Sequence, residues 1–231
     1  MYNSSVNQNV ELNCNNNDNI VPLFNNDISI DEIHKAIFES KKNKACGIDD
    51  IPAEVFRNNT SVSVLHILFN VCYTTGIIPT AWGKGIVNPI PKSATNDPRD
   101  PLSYRGITIA PSIYKLYCFI LNKRLSKWTE TNDKISDEQN GFRKNKSTTD
   151  LLSSLTNIIE TRIKKKLSTF AAFVDFKKAY DTVNRNILWN KLSEMGVNGK
   201  MYNAIKSLYC CVSSCIRING LKTDFFMLLL D

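Results

Sequence analysis

Asp175 is the residue in this sequence with the clearest potential for chemistry. It follows the apolar run Phe170–Val174, which predicts a buried strand, and a second acid, Asp181, comes after two lysines and a tyrosine. Burying an unpaired polar group costs several kcal/mol, about 2–7 even for a neutral group, so this carboxylate needs a cation. Mg²⁺ is one candidate, because it binds carboxylate oxygens and keeps substrate phosphates in its shell. An ion pair with Lys177, Lys178 or a distant arginine is an equally good interpretation of this stretch alone.

Positive charge is concentrated outside the first thirty residues. Those thirty contain ten asparagines, three acids and no lysine or arginine, so the remainder has 29 basic and 19 acidic residues and a net charge of +10. A basic body of this kind favours a polyanionic partner, nucleic acid first and an anionic membrane second. A soluble protein that is merely basic is the alternative.

The asparagine-rich head, residues 1–26, predicts a disordered or loosely attached tail because it is polar and low in complexity. It lacks the basic start and apolar middle of a secretory signal. No stretch has the roughly 18 apolar residues that a spanning helix needs. We therefore expect an intracellular protein, in the cytoplasm and nucleus, with no membrane partner. Seven cysteines without a CxxC pair and only two histidines indicate neither a disulfide framework nor a zinc finger.

Several helix ends are marked by local signals. Capping boxes at Ser29–Glu32 and Ser147–Asp150 predict two helix starts, and Asn184 predicts a third. Gly76 and Gly196 predict helix ends. These helices lie ahead of a small sheet, so the pattern favours an α/β or α+β protein.

Strand signals are fewer and shorter. Residues 85–92 predict a strand whose prolines, Pro89 and Pro91, make it an edge or departing strand. A second short strand is predicted at 107–110, and Asn219–Gly220 predicts a hairpin. The apolar residues 225–230 look like a strand deprived of its neighbours, so we expect the sequence to be part of a longer domain.

Four ordered segments resemble the reverse transcriptase domain of non-LTR (LINE-like) retrotransposons. They read "KACGIDDIPAEVF", "NPIPKSATNDPRDPLSYRGITIA", "DEQNGFRKNKSTTDLL" and "AFVDFKKAYDTVNRNILWNKLSEMG", and the resemblance covers about residues 27–230. It implies an α+β right-hand polymerase with helix-rich fingers at 27–165 and a partial palm at 166–231, whose antiparallel sheet is incomplete. The implied function is RNA-directed DNA polymerisation by a retrotransposon polyprotein, with an RNA template, a DNA primer, dNTPs and two Mg²⁺ ions.

The resemblance also implies roles for individual residues. Asp175 matches the first catalytic aspartate, which binds both magnesium ions, and the backbone carbonyl of Phe176 matches a further metal ligand. Tyr180 matches the aromatic residue that excludes a 2′-hydroxyl, and Lys92 and Arg105 match residues that hold the triphosphate. The segment that matches template binding consists of Gln139, Gly141, Phe142, Arg143, Lys144, Lys146, Ser147 and Thr148.

Each role has a structural alternative. Arg105 could pair with Asp97 or Asp100, and Tyr180 could be a core residue. The charges around Arg143 could form only a solvated surface. The sequence also departs from the family pattern: Gly106 follows "YR" where the family usually has proline, and "CGIDDIP" stands for "SGPDGIP".

The Tyr-x-Asp-Asp hairpin of the family is absent from these 231 residues. Two metal ions about 4 Å apart repel each other strongly, and paired aspartates normally offset that repulsion. We therefore expect a truncated polymerase that is inactive by itself. A non-enzymatic nucleic-acid-binding module is the first alternative. The second is a Mg²⁺-dependent phosphohydrolase or phosphotransferase with Asp175 as nucleophile, which needs alternating βα units and a doubly wound sheet.

Overall fold

Seven α-helices and five short strands form the described part of the chain, and the α+β prediction is confirmed. The computed structural model describes residues 21–93, 97–177, 179–180, 182–210 and 212–227. The helices are α1 (Pro22–Asn25), α2 (Ile30–Glu39), α3 (Asn59–Thr75), α4 (Ser112–Thr131), α5 (Thr148–Lys164), α6 (Arg185–Met195) and α7 (Gly199–Ser207). The strands are β1 (Lys84–Pro91), β2 (Tyr104–Ile109), β3 (Ser213–Ile218), β4 (Leu221–Lys222) and β5 (Phe226–Met227).

Local signals set several helix ends, as predicted. At the start of α2, the Ser29 hydroxyl accepts a hydrogen bond from the Glu32 N–H at 3.2 Å, and the Glu32 carboxylate accepts one from the Ser29 N–H at 2.9 Å. Ser147 and Asp150 form the same reciprocal pair at α5. α3 ends where Gly76 adopts a left-handed φ of 67°, which glycine tolerates because it has no Cβ.

The segment before α2 is part of the packed structure. Phe24 of α1 is completely buried, and its ring centroid lies 5.0 Å from that of Trp128. The Asn70 side chain accepts a hydrogen bond from the Ile28 N–H at 2.6 Å and donates one to the Ile28 carbonyl at 2.9 Å. The predicted head is therefore wrong for residues 21–26, because Phe24 has a place in the core. Residues 1–20 lie outside the described residues.

The sheet is mixed, with the strand order β2-β1-β3-β4 and with β5 also paired to β3. β1 is antiparallel to β2 but parallel to β3, whereas β4 and β5 are antiparallel to β3. The strands within 166–231 are therefore antiparallel as expected, and β1, which lies outside that range, adds a parallel pair. The long crossover from β1 to β3 carries β2 and four helices, and such a connection permits parallel pairing.

The prolines of β1 lie where they cost the sheet no hydrogen bond to β3. Within β1, residues Lys84–Val87 pair with β3, whereas residues Ile86–Pro91 pair with β2. Pro89 and Pro91 are thus in the half of β1 that has left β3, which confirms the prediction of a departing strand. The predicted turn at Asn219–Gly220 is confirmed as well, with φ values of 51° and 83° between β3 and β4.

The strand predicted at 170–174 does not form. Residues 167–176 have no regular secondary structure, and Phe170 and Phe173 are 95% and 86% exposed. A strand needs neighbours for its backbone N–H and C=O groups, and no strand of the described part pairs with this segment. Asp175 is exposed here too, so the burial cost inferred from the sequence does not arise.

Helices α1–α4 and α7 enclose one hydrophobic core. Its centre is aromatic, with the ring centroid of Tyr117 5.2 Å from that of Phe69 and 5.4 Å from that of Trp82. α7, which the prediction assigned to the palm, contributes Met201 and Ala204 to the same core. By contrast, α5 and α6 bury no residue. None of the described helices combines the length and the apolarity needed to cross a bilayer.

A buried arginine joins the elements around this core. The Arg124 side chain is 4% exposed, and its Nε and Nη2 atoms donate to the Glu32 carboxylate at 2.6 and 2.7 Å. The guanidinium also donates to the carbonyls of Asn26 at 2.7 Å and Asp27 at 2.8 Å. Burial raises the pKa of Glu32, but the hydrogen bonds from Arg124 and Ser29 outweigh burial and leave this pKa below its usual value.

We expect Arg124→Met to lower the free energy of unfolding by about 3–5 kcal/mol, because it leaves a half-buried carboxylate and two carbonyls without their donor. Urea denaturation at pH 7 measures this loss. Lys123→Met is the matched control. Lys123 pairs with Glu39, and the two side chains are 42% and 35% exposed. Equal losses in the two variants would contradict the role assigned to Arg124.

Candidate functional site

The β1–β2 hairpin carries the two cations predicted to hold a triphosphate. The Lys92 backbone N–H donates to the Ser103 carbonyl at 2.9 Å, and its Nζ donates to the Leu102 carbonyl at 2.7 Å. Arg105 lies on β2 directly opposite Ile90 of β1. Lys92 is two residues beyond Ile90, so the register puts both cations at the same end of the hairpin.

The acids that could have neutralised Arg105 are engaged elsewhere. Asp97 binds Arg99 at 3.2 Å, and hydrogen bonds from Arg99 lower the pKa of Asp97. Asp100 accepts from the Leu102 N–H at 2.9 Å and caps a short 3₁₀ helix. Among the described residues, none forms an ion pair with Arg105, which is exposed. The structural alternative for Arg105 is therefore wrong.

The Arg143 side chain is bound to the elements around its own turn. Its Nε and Nη2 atoms donate to the two carboxylate oxygens of Glu130 at 3.0 and 2.7 Å, and its Nη1 donates to the Ser136 carbonyl at 2.9 Å. The hydrogen bond between them raises the pKa of Arg143 and lowers that of Glu130. With its side chain only 11% exposed, Arg143 fastens the turn to the end of α4.

The residues next to Arg143 in this turn are exposed to solvent. Phe142 is 95% exposed and has a φ of 62°, a left-handed conformation that is uncommon for a bulky residue. Lys144 and Lys146 are exposed beside it. The Gln139 amide donates to the Gly141 carbonyl at 3.1 Å, so it stabilises the turn from within. Ser147 caps α5, and Thr148 is the first residue of that helix.

The segment with Asp175 contributes three exposed candidates: Asp175, Phe176 and Tyr180. Tyr180 is 77% exposed, so the alternative of core packing is wrong for it. Arg162 of α5 fixes the start of the segment by donating to the Ser168 carbonyl at 2.6 Å. Lys178 and Asp181 lie outside the described residues.

The described residues do not assemble a metal centre around Asp175. No group of three or more histidine, cysteine, aspartate or glutamate side chains comes together anywhere in the described part of the chain. No hydrogen bond or ion pair among the described residues links Asp175 to Lys92, to Arg105 or to the 136–148 turn. The hypothesis of an Asp175 nucleophile on a doubly wound sheet is wrong for the described residues. Among their strands, β1–β3 is the only parallel pair, and Asp175 does not end a strand.

Two sets of residues around the site escaped the sequence analysis. Glu130, the partner of Arg143, is thirteen residues away on another element, and no spacing rule identifies it. Lys41, Lys44 and Lys115 surround a groove beside β2. The basic run "KKNK" at 41–44 was a signal for the first two, but only the folded chain brings Lys115 to them.

Comparison with known proteins identifies relatives of the whole site region. A family model described as reverse transcriptase (RNA-dependent DNA polymerase) matches residues 90–227. The probable RNA-directed DNA polymerase from transposon X-element of Drosophila melanogaster is 29% identical over 154 residues, covering 66% of this chain and 17% of that protein. The RNA-directed DNA polymerase from mobile element jockey of the same species is 26% identical over 158 residues, covering 68% of this chain and 17% of that protein.

A third relative comes from another insect. The retrovirus-related Pol polyprotein from type-1 retrotransposable element R2 of Popillia japonica is 27% identical over 154 residues, which is 67% of this chain and 20% of that protein. The chain thus spans about a fifth of the length of these curated relatives.

The clamp between Arg143 and Glu130 predicts a local effect on the turn. Glu130→Gln keeps every lysine and arginine but removes the charge that holds the guanidinium, so we expect trypsin to cleave after Arg143 or Lys144 faster than in the wild type. Glu194→Gln is the control, because it removes the acid of the exposed Lys191–Glu194 pair. Unchanged cleavage in Glu130→Gln would show that the turn does not depend on this pair.

Proposed function

This chain belongs to the reverse transcriptase family, and we propose that it forms the nucleotide- and template-binding part of an RNA-directed DNA polymerase. The observation that carries the proposal is the family match over residues 90–227, which takes in both hairpin cations, the 136–148 turn and Asp175. The proposed substrates are an RNA template, a DNA primer and dNTPs, and the proposed context is a retrotransposon polyprotein. In this proposal residues 27–165 act as fingers and residues 166–231 as part of the palm.

Lys92 and Arg105 are proposed to hold the triphosphate. The planar fork of Arg105 suits bidentate phosphate binding, and Lys92 acts as a point charge. The absence of an acidic partner for Arg105 among the described residues supports this role, because the guanidinium needs no competing bond to be broken. Lys92 would exchange its bond to the Leu102 carbonyl for one to phosphate. Tyr180 is proposed to lie beneath the sugar and to exclude a 2′-hydroxyl.

The 136–148 turn is proposed to contact the template through its exposed residues, while its other residues hold the turn in place. Phe142 offers an exposed ring on which a base can stack, and Lys144 and Lys146 are free to meet backbone phosphates. Arg143 and Gln139 stabilise the turn, since their polar groups form hydrogen bonds within it. Gly141, Ser147 and Thr148 shape the turn and begin α5.

Asp175 and the carbonyl of Phe176 are the residues proposed to bind Mg²⁺. This ion prefers oxygen ligands in octahedral geometry and is usually held by one or two carboxylates together with substrate phosphates. One exposed carboxylate fits part of such a shell, but the described residues alone do not fit a two-metal site.

A non-enzymatic nucleic-acid-binding module is the second candidate. It is favoured by one observation: Phe142, Lys144 and Lys146 are exposed on a fastened turn, whereas Asp175 belongs to no group of three or more metal-binding side chains among the described residues. Salt-dependent RNA binding that is unchanged in Asp175→Ala, together with a lack of specific dNTP binding, would favour this candidate over the polymerase.

We predict that Arg105→Ala weakens dNTP binding roughly tenfold or more, the loss expected for a charge-assisted contact of about 1.5–3 kcal/mol. Titration with a fluorescent dNTP measures the affinity. Arg99→Ala is the matched control, since Arg99 lies in the same connection and its guanidinium is already held by Asp97. If both variants bind as tightly as the wild type, the triphosphate does not use Arg105.

We also propose that these 231 residues alone do not extend a primer. Phosphoryl transfer depends on positioning and on charge neutralisation, and the sequence has no Tyr-x-Asp-Asp segment to supply further carboxylates beside Asp175. In an assay with RNA template, DNA primer, dNTPs and Mg²⁺ we expect no extended product, while the same protein retains binding to the primer–template. Robust extension would refute this proposal.

A further inference from the structure

The groove beside β2 has a volume of about 430 Å³. It is bounded by the end of α2, the loop that follows it and the first turns of α4. Three lysines, Lys41, Lys44 and Lys115, lie around it, and none of the described residues that line it is acidic. The volume is within the range of about 300–1,000 Å³ typical of ligand sites, so the groove can hold a short stretch of a flexible ligand.

The three groove lysines have no counter-ion among the described residues, unlike the three described lysines that form ion pairs. Lys123, Lys191 and Lys200 each pair with an acid at 2.8–2.9 Å. No ion pair or hydrogen bond involves the side chains of the three groove lysines among the described residues, and all three are exposed. Like charges that converge on one groove repel each other, so an anion in the groove is stabilised by all of them.

Two acids on the flanking elements, Glu39 and Glu54, have hydrogen-bond partners outside the groove. Glu39, at the end of α2, binds Lys123 at 2.9 Å. Glu54 accepts a hydrogen bond from the Asn43 N–H at 2.6 Å and thereby fixes the loop that carries Lys41 and Lys44. Neither of these acids forms an ion pair with Lys41, Lys44 or Lys115.

The wall of the groove is an edge of the sheet. Ile107, Thr108 and Ile109 all line it, and three consecutive strand residues can do so only if the groove follows the edge of the strand. β2 is the last strand of the sheet in the described part of the chain, so backbone groups on this edge are free of strand partners. Phe119 and three alanines add apolar surface, which suits a sugar or a base between phosphates.

The loop opposite β2 packs against the start of α4. A Cβ atom on Gly47 would lie 2.5 Å from the Pro111 nitrogen, so only glycine permits this approach to the start of α4. The Ser112 hydroxyl donates to the Ile51 carbonyl at 2.8 Å and ties the same two segments together. The groove is therefore built before any ligand arrives.

The groove also connects the two parts of the candidate site. Arg105 lies on β2, the strand whose edge forms the wall. On the other side, Glu39 precedes Lys41 by two residues, and the hydrogen bond from Lys123 and the charges of Lys35 and Lys144 lower the pKa of Glu39. Lys144 of the 136–148 turn is thus near the end of α2, where the groove begins.

We infer that this groove binds the sugar–phosphate backbone of single-stranded nucleic acid, with Lys41, Lys44 and Lys115 on the phosphates and the β2 edge beneath the sugars. The inference rests on the proposed function and extends it, because it gives the strand a path between Arg105 and the 136–148 turn. The contacts are to phosphate and sugar, so the groove sets position and does not read sequence.

The test is the salt dependence of binding to a fluorescein-labelled 20-nucleotide oligouridylate, measured by anisotropy. Each phosphate contact to a single strand contributes about −0.7 to the slope of log K against log salt. The triple variant Lys41→Gln, Lys44→Gln, Lys115→Gln should therefore have a slope that is shallower by about 2. A fourfold rise in salt should then weaken its binding roughly 20-fold less than it weakens wild-type binding.

The matched control removes the same charge elsewhere. Lys164, Lys165 and Lys166 are exposed at the end of α5, outside the groove, and their triple glutamine variant should change the slope far less. Equal changes in the two triple variants would mean that only net charge matters, and this would overturn the groove. If the wild type does not bind at low salt, the proposed function fails; if it binds and the groove variant keeps the wild-type slope, only the groove fails.

Lysine acetylation of the unmodified chain provides a readout that needs no variant. Oligouridylate should protect Lys41, Lys44 and Lys115 from acetylation, as detected by mass spectrometry, and should leave Lys164–Lys166 reactive. Oligothymidylate should protect the same lysines, because phosphates are common to RNA and DNA. Equal protection by inorganic pyrophosphate would show a site for small anions and overturn the assignment to a strand.

Discussion

The fork of Arg124 on Glu32 is the interaction on which the rest of the structure depends. Nearly all of the guanidinium's donors are used: two on the Glu32 carboxylate and the others on carbonyls of the segment before α2. This one side chain therefore joins α4 to α2 and to the segment that carries Phe24. Because α4 begins beside β2 and the 136–148 turn is fastened to its other end by Glu130, the orientation of α4 sets where the basic surfaces lie.

The features that were predictable from the sequence are those whose physical cause is local. A capping box needs only residues three apart, so Ser29 and Ser147 identified their helices. Gly76 and Asn219–Gly220 likewise end or turn the chain through their own backbone conformations. The strand predicted at 170–174 does not form, since apolar character favours a strand only where partner strands are available. The parallel β1–β3 pair depends on a crossover that no local pattern describes.

The same distinction between local and long-range causes applies to the candidate site. The family resemblance indicated Lys92, Arg105 and the basic turn, whose charges can be read directly from the sequence. The partners of those charges were not visible. The sequence does not show that Glu130 binds Arg143, nor that Asp97 binds Arg99 and leaves Arg105 without an ion pair among the described residues. Convergence of Lys115 with Lys41 and Lys44 likewise exists only in the folded chain.

The central claim is that a rigid helical core presents the β1–β2 hairpin and the 136–148 turn to a nucleic-acid strand. Hydrogen–deuterium exchange of the chain, with and without an RNA–DNA primer–template, tests this claim most directly. The account predicts slower exchange in 84–93, 104–109 and 136–146 when the nucleic acid is bound, with α5 and α6 unchanged. Unchanged exchange in all three segments, in a protein that demonstrably binds the primer–template, would contradict it.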